Sequence, residues 1–290
     1  MKPVTSTALK TEPDDVSARE AIAHKITTLL GSTCQRILLV QSLVLDETAL
    51  DVGIAMSARY YACPPYGIGM LTTNLKKRGY TVQIEDLNYR VLAYINQKKD
   101  PNISPAEVTA FWQAELQKVM ETFQPDLIGL SCMYAIGHGM TGRTADFVKS
   151  LQPNCPVFLG GVHATVSMEA VLQDFPSIDF VALFECDISF ADLLDFSRGR
   201  CGMDRLSQVA TRIDGVTVAL PDRRTPMADD IQERPDYCDL PIGEYSKVGQ
   251  IGLGSFWYGR NVRAGSMLSN RGCRAHCSFC STRYFNGPGV

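Results

Sequence analysis

From Arg36 onward the chain alternates short, continuous apolar runs with longer amphipathic stretches. The runs are Ile37-Leu38-Leu39-Val40, Val82-Gln83-Ile84, Leu127-Ile128-Gly129-Leu130, Val157-Phe158-Leu159 and Phe180-Val181-Ala182-Leu183. Apolar runs of this length without alternation are how strands buried on both faces read. The intervening stretches predict helices over about 67–78, 105–123, 141–151, 167–173 and 188–196, and another, roughly Val16 to Leu30, precedes the first strand. The helix at 105 has a defined start, because Ser104-Pro105-Ala106-Glu107 is a capping box with proline at the first helical position. Strand and helix alternation of this kind predicts an α/β fold, a Rossmann-like doubly wound parallel sheet of five strands over roughly 34–198, behind a tail and helix over 1–33.

The texture changes at about Gly199. Ile213-Asp214-Gly215-Val216 predicts a small hairpin, after which Pro221, Pro226, Pro235 and Pro241 punctuate a charged connection reaching about residue 265. Gly265-Ser266-Met267-Leu268-Ser269-Asn270 is a short strand candidate that opens a last segment over 266–290. At 290 residues, 45% hydrophobic and 20% charged, the chain exceeds a usual single domain and has apolar material for a sizeable core. A net charge of -3 without a dense basic run argues against a nucleic-acid partner. No signal-like or membrane-spanning apolar stretch occurs, so the expectation is a cytoplasmic protein with no membrane partner. In a reducing compartment ten cysteines are not a disulfide framework. Seven, at 34, 63, 132, 155, 186, 201 and 238, are scattered singly and read as small buried hydrophobes.

Ligands of doubly wound sheets bind outside the carboxyl ends of the strands. There the sequence reads Ser131-Cys132-Met133-Tyr134 after the third run, Gly160-Gly161-Val162-His163-Ala164-Thr165 after the fourth and Phe184-Glu185-Cys186-Asp187 after the fifth. Paired glycines let backbone approach a large ligand closely, although Gly-Gly is also an ordinary turn and His163 an ordinary loop residue. Gln41-Ser42-Leu43-Val44-Leu45-Asp46 follows the first strand in place of a G-x-G-x-x-G, which disfavours a nicotinamide site, and no phosphate-loop motif occurs. The sharpest signal is Cys273-Arg274-Ala275-His276-Cys277-Ser278-Phe279-Cys280. Three closely spaced thiolates can bind three irons of a [4Fe-4S] cube and leave the fourth open to a small molecule. A structural zinc ion would need a fourth ligand, Cys238 or His276.

The cysteine motif, aromatic residue included, resembles the C-x3-C-x-aromatic-C signature of radical S-adenosylmethionine (SAM) enzymes. Residues 34–198 resemble the cobalamin-binding (B12-binding) domain of that superfamily's B12-dependent branch, through Pro64-Pro65-Tyr66-Gly67, Asp126 to Ser131 and Gly160 to Thr165. The resemblance implies Cys273, Cys277 and Cys280 as cluster ligands and Phe279 against the SAM adenine. It implies cobalamin contacts from Pro65, Tyr66, Gly67, Ser131, Gly160, Gly161, His163, Glu185 and Cys186. Phe184 and Cys186 stand where many relatives carry the glycines of a Gly-Glu-Gly-Glu loop.

In such enzymes SAM bound to the open iron yields a 5'-deoxyadenosyl radical, and methylcobalamin methylates the substrate radical. The resemblance therefore implies a methyltransferase, with a B12-dependent cyclase or a non-catalytic cobalamin-binding module as alternatives. The implied cofactors are a [4Fe-4S] cluster, SAM and cobalamin. The implied partners are a small-molecule substrate and a flavodoxin or ferredoxin as one-electron donor. Only ten residues follow Cys280, whereas a βα barrel needs on the order of 200 more. The expectation is thus the first strand and cluster loop of a truncated barrel, incomplete for turnover alone.

Overall fold

Each apolar run becomes a strand because its side chains have helices to bury against on both faces. In this computed structural model, which describes residues 15–223, 233–237, 240–250 and 271–287, the order is α1 (Asp15–Leu30), β1 (Arg36–Gln41), α2 (Val52–Met56), α3 (Tyr66–Lys77), β2 (Thr81–Asp86), α4 (Leu87–Lys98), α5 (Pro105–Phe123) and β3 (Leu127–Ser131). There follow α6 (His138–Leu151), β4 (Val157–Gly160), α7 (Val162–Val166), α8 (Met168–Asp174), β5 (Phe180–Ala182), α9 (Ser189–Ser197), β6 (Val209–Ile213) and β7 (Val216–Leu220). Short helical segments follow at Tyr245–Val248 and Thr282–Asn286, and 3-10 turns occur at Ala135–Gly137, Met203–Arg205 and Ile242–Glu244.

The sheet order is β2-β1-β3-β4-β5-β6-β7. The first five strands are parallel, and the order reverses between β1 and β3, the place where open α/β sheets bind ligands. Among the described residues the sheet has seven strands, where five are expected. The hairpin does not stand apart but pairs antiparallel with β5, Ala182 opposite Val209, and so covers what would be an open edge. Its turn places Asp214 and Gly215 at φ +49° and +81°, both in the left-handed region that tight hairpin turns require.

Alternate residues of the strands feed two cores. Leu38, Val40, Ile128, Leu130, Val157 and Leu159 pack under α4, α5, α6 and α8, while Ile37, Leu39, Leu127, Phe158 and Phe180 pack under α1, α3 and α9. Helix α1 crosses the added hairpin: Lys25 Nζ lies 2.7 Å from Thr211 Oγ1 and 2.8 Å from the Arg212 carbonyl. The capping box at α5 is half formed. Ser104 Oγ accepts from the Glu107 amide at 3.2 Å, but the Glu107 carboxylate is taken by Tyr94 and Lys98 instead of turning back. The strand candidate over 265–270, together with Cys238 and Pro226, lies outside the described residues.

Candidate functional site

The carboxyl ends of the parallel strands open into a cleft of about 490 Å³, within the range of small-molecule sites. Its floor is strand ends: Gln41 of β1, Asp86 of β2, Ser131 of β3, Gly160 of β4 and Ala182 of β5. Of the residues anticipated as cofactor contacts, Pro65, Tyr66, Gly67, Ser131, Gly160, Gly161, Glu185 and Cys186 all line it.

Gly161 explains how two strand ends come this close. Its φ is +111° and ψ 171°, a conformation essentially restricted to glycine, and a Cβ there would lie 2.4 Å from the Cys132 carbonyl oxygen. The same junction carries the Cys132 amide to the Gly160 carbonyl at 2.9 Å. Gly67 is the opposite case: a Cβ would meet nothing within 4 Å, so backbone there borders open cleft.

His163 is the exception among the anticipated residues, since it does not line the cleft. The turn at Gly161 starts α7 at once and carries His163 to His138, whose Nδ1 is 2.9 Å from His163 Nε2. The other ring nitrogen of His138 is 3.1 Å from Asp174 Oδ2. Burial, and then His138, hold the His163 imidazole below its ordinary value. This is a hydrogen-bonded chain joining α6, α7 and the end of α8.

The loop after β5 is the wall with the most charge. Phe184 has φ +59°, which a bulky side chain adopts at a cost of about 1–2 kcal/mol. That cost is offset by contacts: its amide donates to Thr165 Oγ1 at 2.9 Å, the Arg223 guanidinium lies 4.0 Å from the ring centroid, and Tyr284 meets the ring edge-on. A left-handed residue is therefore retained at this position without a glycine. Burial raises the Glu185 carboxyl, against the lowering effect of hydrogen bonds from Asn286 and Arg271. Burial, and then Asp187, push the Cys186 thiol up to about 12, so it is a neutral lining group. At the end of β2, burial pushes Asp86 up to about 6 although its carboxylate accepts from the Tyr89 amide at 2.9 Å and the Tyr245 hydroxyl at 2.8 Å.

The cysteine segment closes the cleft from the other side. Arg271, Gly272, Thr282, Phe285 and Asn286 line it. Cys273, Cys277 and Cys280 line a second hollow of about 540 Å³ with His276, Arg223 and Arg283. Arg283 Nη1 donates to the Cys273 carbonyl at 3.1 Å and shapes the loop. Hydrogen bonding with the side chain and backbone of Thr282 holds the Cys280 thiol below its ordinary value. Among the described residues no three His, Cys, Asp or Glu side chains converge on a single ion. A cube does not ask for that, because each thiolate takes a different iron. Phe279 is 91% exposed and lines neither hollow. Sequence reasoning missed Asp86, Asp187 and Arg271. Asp187 and Arg271 adjoin motifs already singled out, and Asp86 ends an apolar run.

A parallel sheet of order 2-1-3-4-5 with a glycine-bordered cleft at its switch point is the architecture of a cofactor-binding α/β domain, and residues 53–194 match the B12-binding domain family. The chain thus carries a stretch matching the B12-binding domain, and its sequence is similar to methyltransferases and to a cyclase. It is 26% identical over 242 residues to the cytidylyl-2-hydroxyethylphosphonate methyltransferase of Streptomyces wedmorensis, covering 77% of this chain and 45% of that protein. It is 25% identical over 223 residues to the anaerobic magnesium-protoporphyrin IX monomethyl ester cyclase of Rubrivivax gelatinosus, covering 75% and 35%. In these alignments the chain spans less than half the length of the curated relatives. Its fold matches that of the radical SAM methyltransferase TsrM from Kitasatospora setae, a structure with cobalamin and a [4Fe-4S] cluster bound. The TM-score is 0.56 at 19% identity, over 88% of this chain and 43% of that one. It also matches OxsB, a cobalamin-dependent SAM radical enzyme, with TM-score 0.52 at 16% identity over 86% and 28%. No helix among the described residues is long and apolar enough to cross a membrane.

Proposed function

We propose that this chain is the cofactor-binding part of a cobalamin-dependent radical SAM methyltransferase. The observation that carries the reading is the double role of residues 271–287, which wall the strand-end cleft on one side and present three cysteines to a second hollow on the other. The residues present fit a large cofactor in the cleft: Gly67, Gly160 and Gly161 border it with bare backbone, and the Cys186 thiol, Tyr66 and Pro65 supply apolar wall. Cys273, Cys277 and Cys280, which line the second hollow together, are the residues that would hold an iron-sulfur cluster. Bound together, cobalamin supplies a methyl carrier and the cluster with SAM supplies the one-electron chemistry that opens a substrate C-H bond.

The protein's own part is positional. Gly161 and Phe184 set the two loops that border the cleft. Arg283 and Thr282 shape the cysteine loop, and Arg271 holds that loop against the B12-binding domain. The substrate is a small molecule with an unactivated carbon, and a flavodoxin or ferredoxin provides the electron. The likeness to the Rubrivivax cyclase favours a second reading, the same cofactors used for ring formation without methyl transfer.

Anaerobic reconstitution with iron, sulfide and hydroxocobalamin tests the assignment through absorbance spectra and iron content. The expected result is one cobalamin per chain and a cluster that is lost in Cys277→Ala while cobalamin remains. Bound zinc in place of iron, or a cobalamin-free chain, would refute it.

A further inference from the structure

The cysteine segment is fastened to the B12-binding domain at two points, and both lie on the same loop. Arg271, two residues before the first cysteine, is 5% exposed. Its Nη1 is 3.3 Å from Glu185 Oε2 and its Nη2 2.5 Å from Asp187 Oδ2. The other oxygen of Glu185 accepts from the amide of Asn286, beyond the last cysteine. The cysteine loop is therefore pinned before its first thiol and after its third by the carboxylates of Glu185 and Asp187. Phe184 of the same loop touches Tyr284 and Phe285.

Those carboxylates also belong to the cleft, which Glu185, Cys186 and Asp187 line. A guanidinium held between two carboxylates has a fixed, planar, multi-point geometry that a point charge does not reproduce. Whatever seats against Phe184–Asp187 thus sets the position of Arg271, and Arg271 sets the approach of Cys273.

We infer that Arg271 is a positioning residue that couples the two hollows energetically, so that a ligand in the cleft and metal on the three cysteines each strengthen the binding of the other. This rests on the cofactor assignment proposed above. The coupling is a ratio: the hydroxocobalamin dissociation constant of the iron-free chain divided by that of the iron- and sulfide-loaded chain. By reciprocity the same factor describes how cobalamin tightens the cluster. A purely structural role would weaken both constants together and leave their ratio unchanged.

Equilibrium dialysis of hydroxocobalamin under anaerobic conditions measures the ratio in wild type, Arg271→Met and Arg271→Lys. A ratio of about 10 is expected in wild type, within the usual range of allosteric factors, falling below about 2 in Arg271→Met and to an intermediate value in Arg271→Lys. Asp187→Asn removes one partner from the opposite side and carries the test if Arg271→Met fails to fold, as judged by circular dichroism. A wild-type ratio of one with both cofactors bound, or a ratio retained in Arg271→Met or in Asp187→Asn, would overturn the coupling and leave the cofactor assignment standing. A wild-type chain that binds no cobalamin or keeps no iron overturns the assignment, and the coupling with it.

Discussion

Two adjacent glycines separate the needs of the fold from those of the cleft. At Gly161 an alanine must hold φ +111° and place its Cβ 2.4 Å from the Cys132 carbonyl oxygen and 2.8 Å from its carbon. Those atoms are backbone at the end of β3, locked by the Cys132 to Gly160 hydrogen bond, so they cannot rotate away. The conformation costs about 1–3 kcal/mol and the overlap a similar amount. We therefore expect Gly161→Ala to destabilise the chain by about 2–5 kcal/mol, a large share of the roughly 5–15 kcal/mol a domain has. With a urea slope of about 1–3 kcal/mol per molar, the unfolding midpoint should drop by ~1 M or more.

At Gly160 the nearest atoms to a new Cβ are those of Ala182 at 3.9 and 4.0 Å, ordinary contact, so Gly160→Ala should leave the midpoint unchanged. Because Gly160 borders the cleft, the same methyl group should still weaken hydroxocobalamin binding by about tenfold, equivalent to ~1.4 kcal/mol. Urea titration by circular dichroism and equilibrium dialysis read the two effects separately. An unchanged midpoint for Gly161→Ala would refute the steric reasoning, and unchanged cobalamin affinity for Gly160→Ala would remove the cofactor from this part of the cleft.

Three further outcomes follow from buried groups. Asp86 keeps its proton in the native state up to about pH 6 but loses it near 3.8 when unfolded. Its contribution is therefore fully present below pH 3.8 and is lost as pH rises through 6, a change of about 3 kcal/mol. Asp86→Asn keeps a cap on α4 and should flatten stability between pH 4 and 7; an unaltered pH profile would show that the carboxyl titrates normally. Glu47→Ala strips the acceptor from the buried Trp112 Nε1, now 2.7 Å away, and from Thr109 and Arg143. It should cost about 2–4 kcal/mol in thermal unfolding, and a loss below 1 kcal/mol would mean that the loop after β1 is not held there. Phe184→Gly relieves the left-handed backbone but removes the ring from Arg223 and Tyr284. A net loss of ~1 kcal/mol and faster proteolysis around residues 271–287 are expected, and unchanged proteolysis would exclude Phe184 as a fastening point.

The strands were legible because burial on both faces leaves an uninterrupted apolar run, as at Ile37-Leu38-Leu39-Val40. Helix α4 was not, because Asp86 is both the last residue of β2 and the N-cap of α4, and no loop residues announce the change. The hairpin was legible from Asp214-Gly215, but its attachment to β5 was not: β7 is partly exposed, with Val216 63% accessible, and reads as weakly as an isolated ribbon. In the site, the glycines and cysteines stood out by residue type, and the structure places them at the two hollows. His163 shows the limit of spacing, which places it on a cleft loop, whereas the φ of Gly161 turns it toward His138. The Arg271 pairing with Glu185 spans 86 residues and leaves no local trace.

The hairpin has one more consequence, which is a matter of parity. Strand β5 ends at the cleft, β6 runs away from it and β7 returns, so Leu220 lies opposite Val209 and the chain emerges beside Phe184, where Arg223 sits over the ring. One added strand would have delivered the chain to the far end of the sheet, and two bring it back to the end where the cysteines are needed. The tip at Asp214–Gly215 is then the point of the excursion most distant from the chemistry. A fluorophore or short peptide grafted there would report on this half of the molecule from outside both hollows.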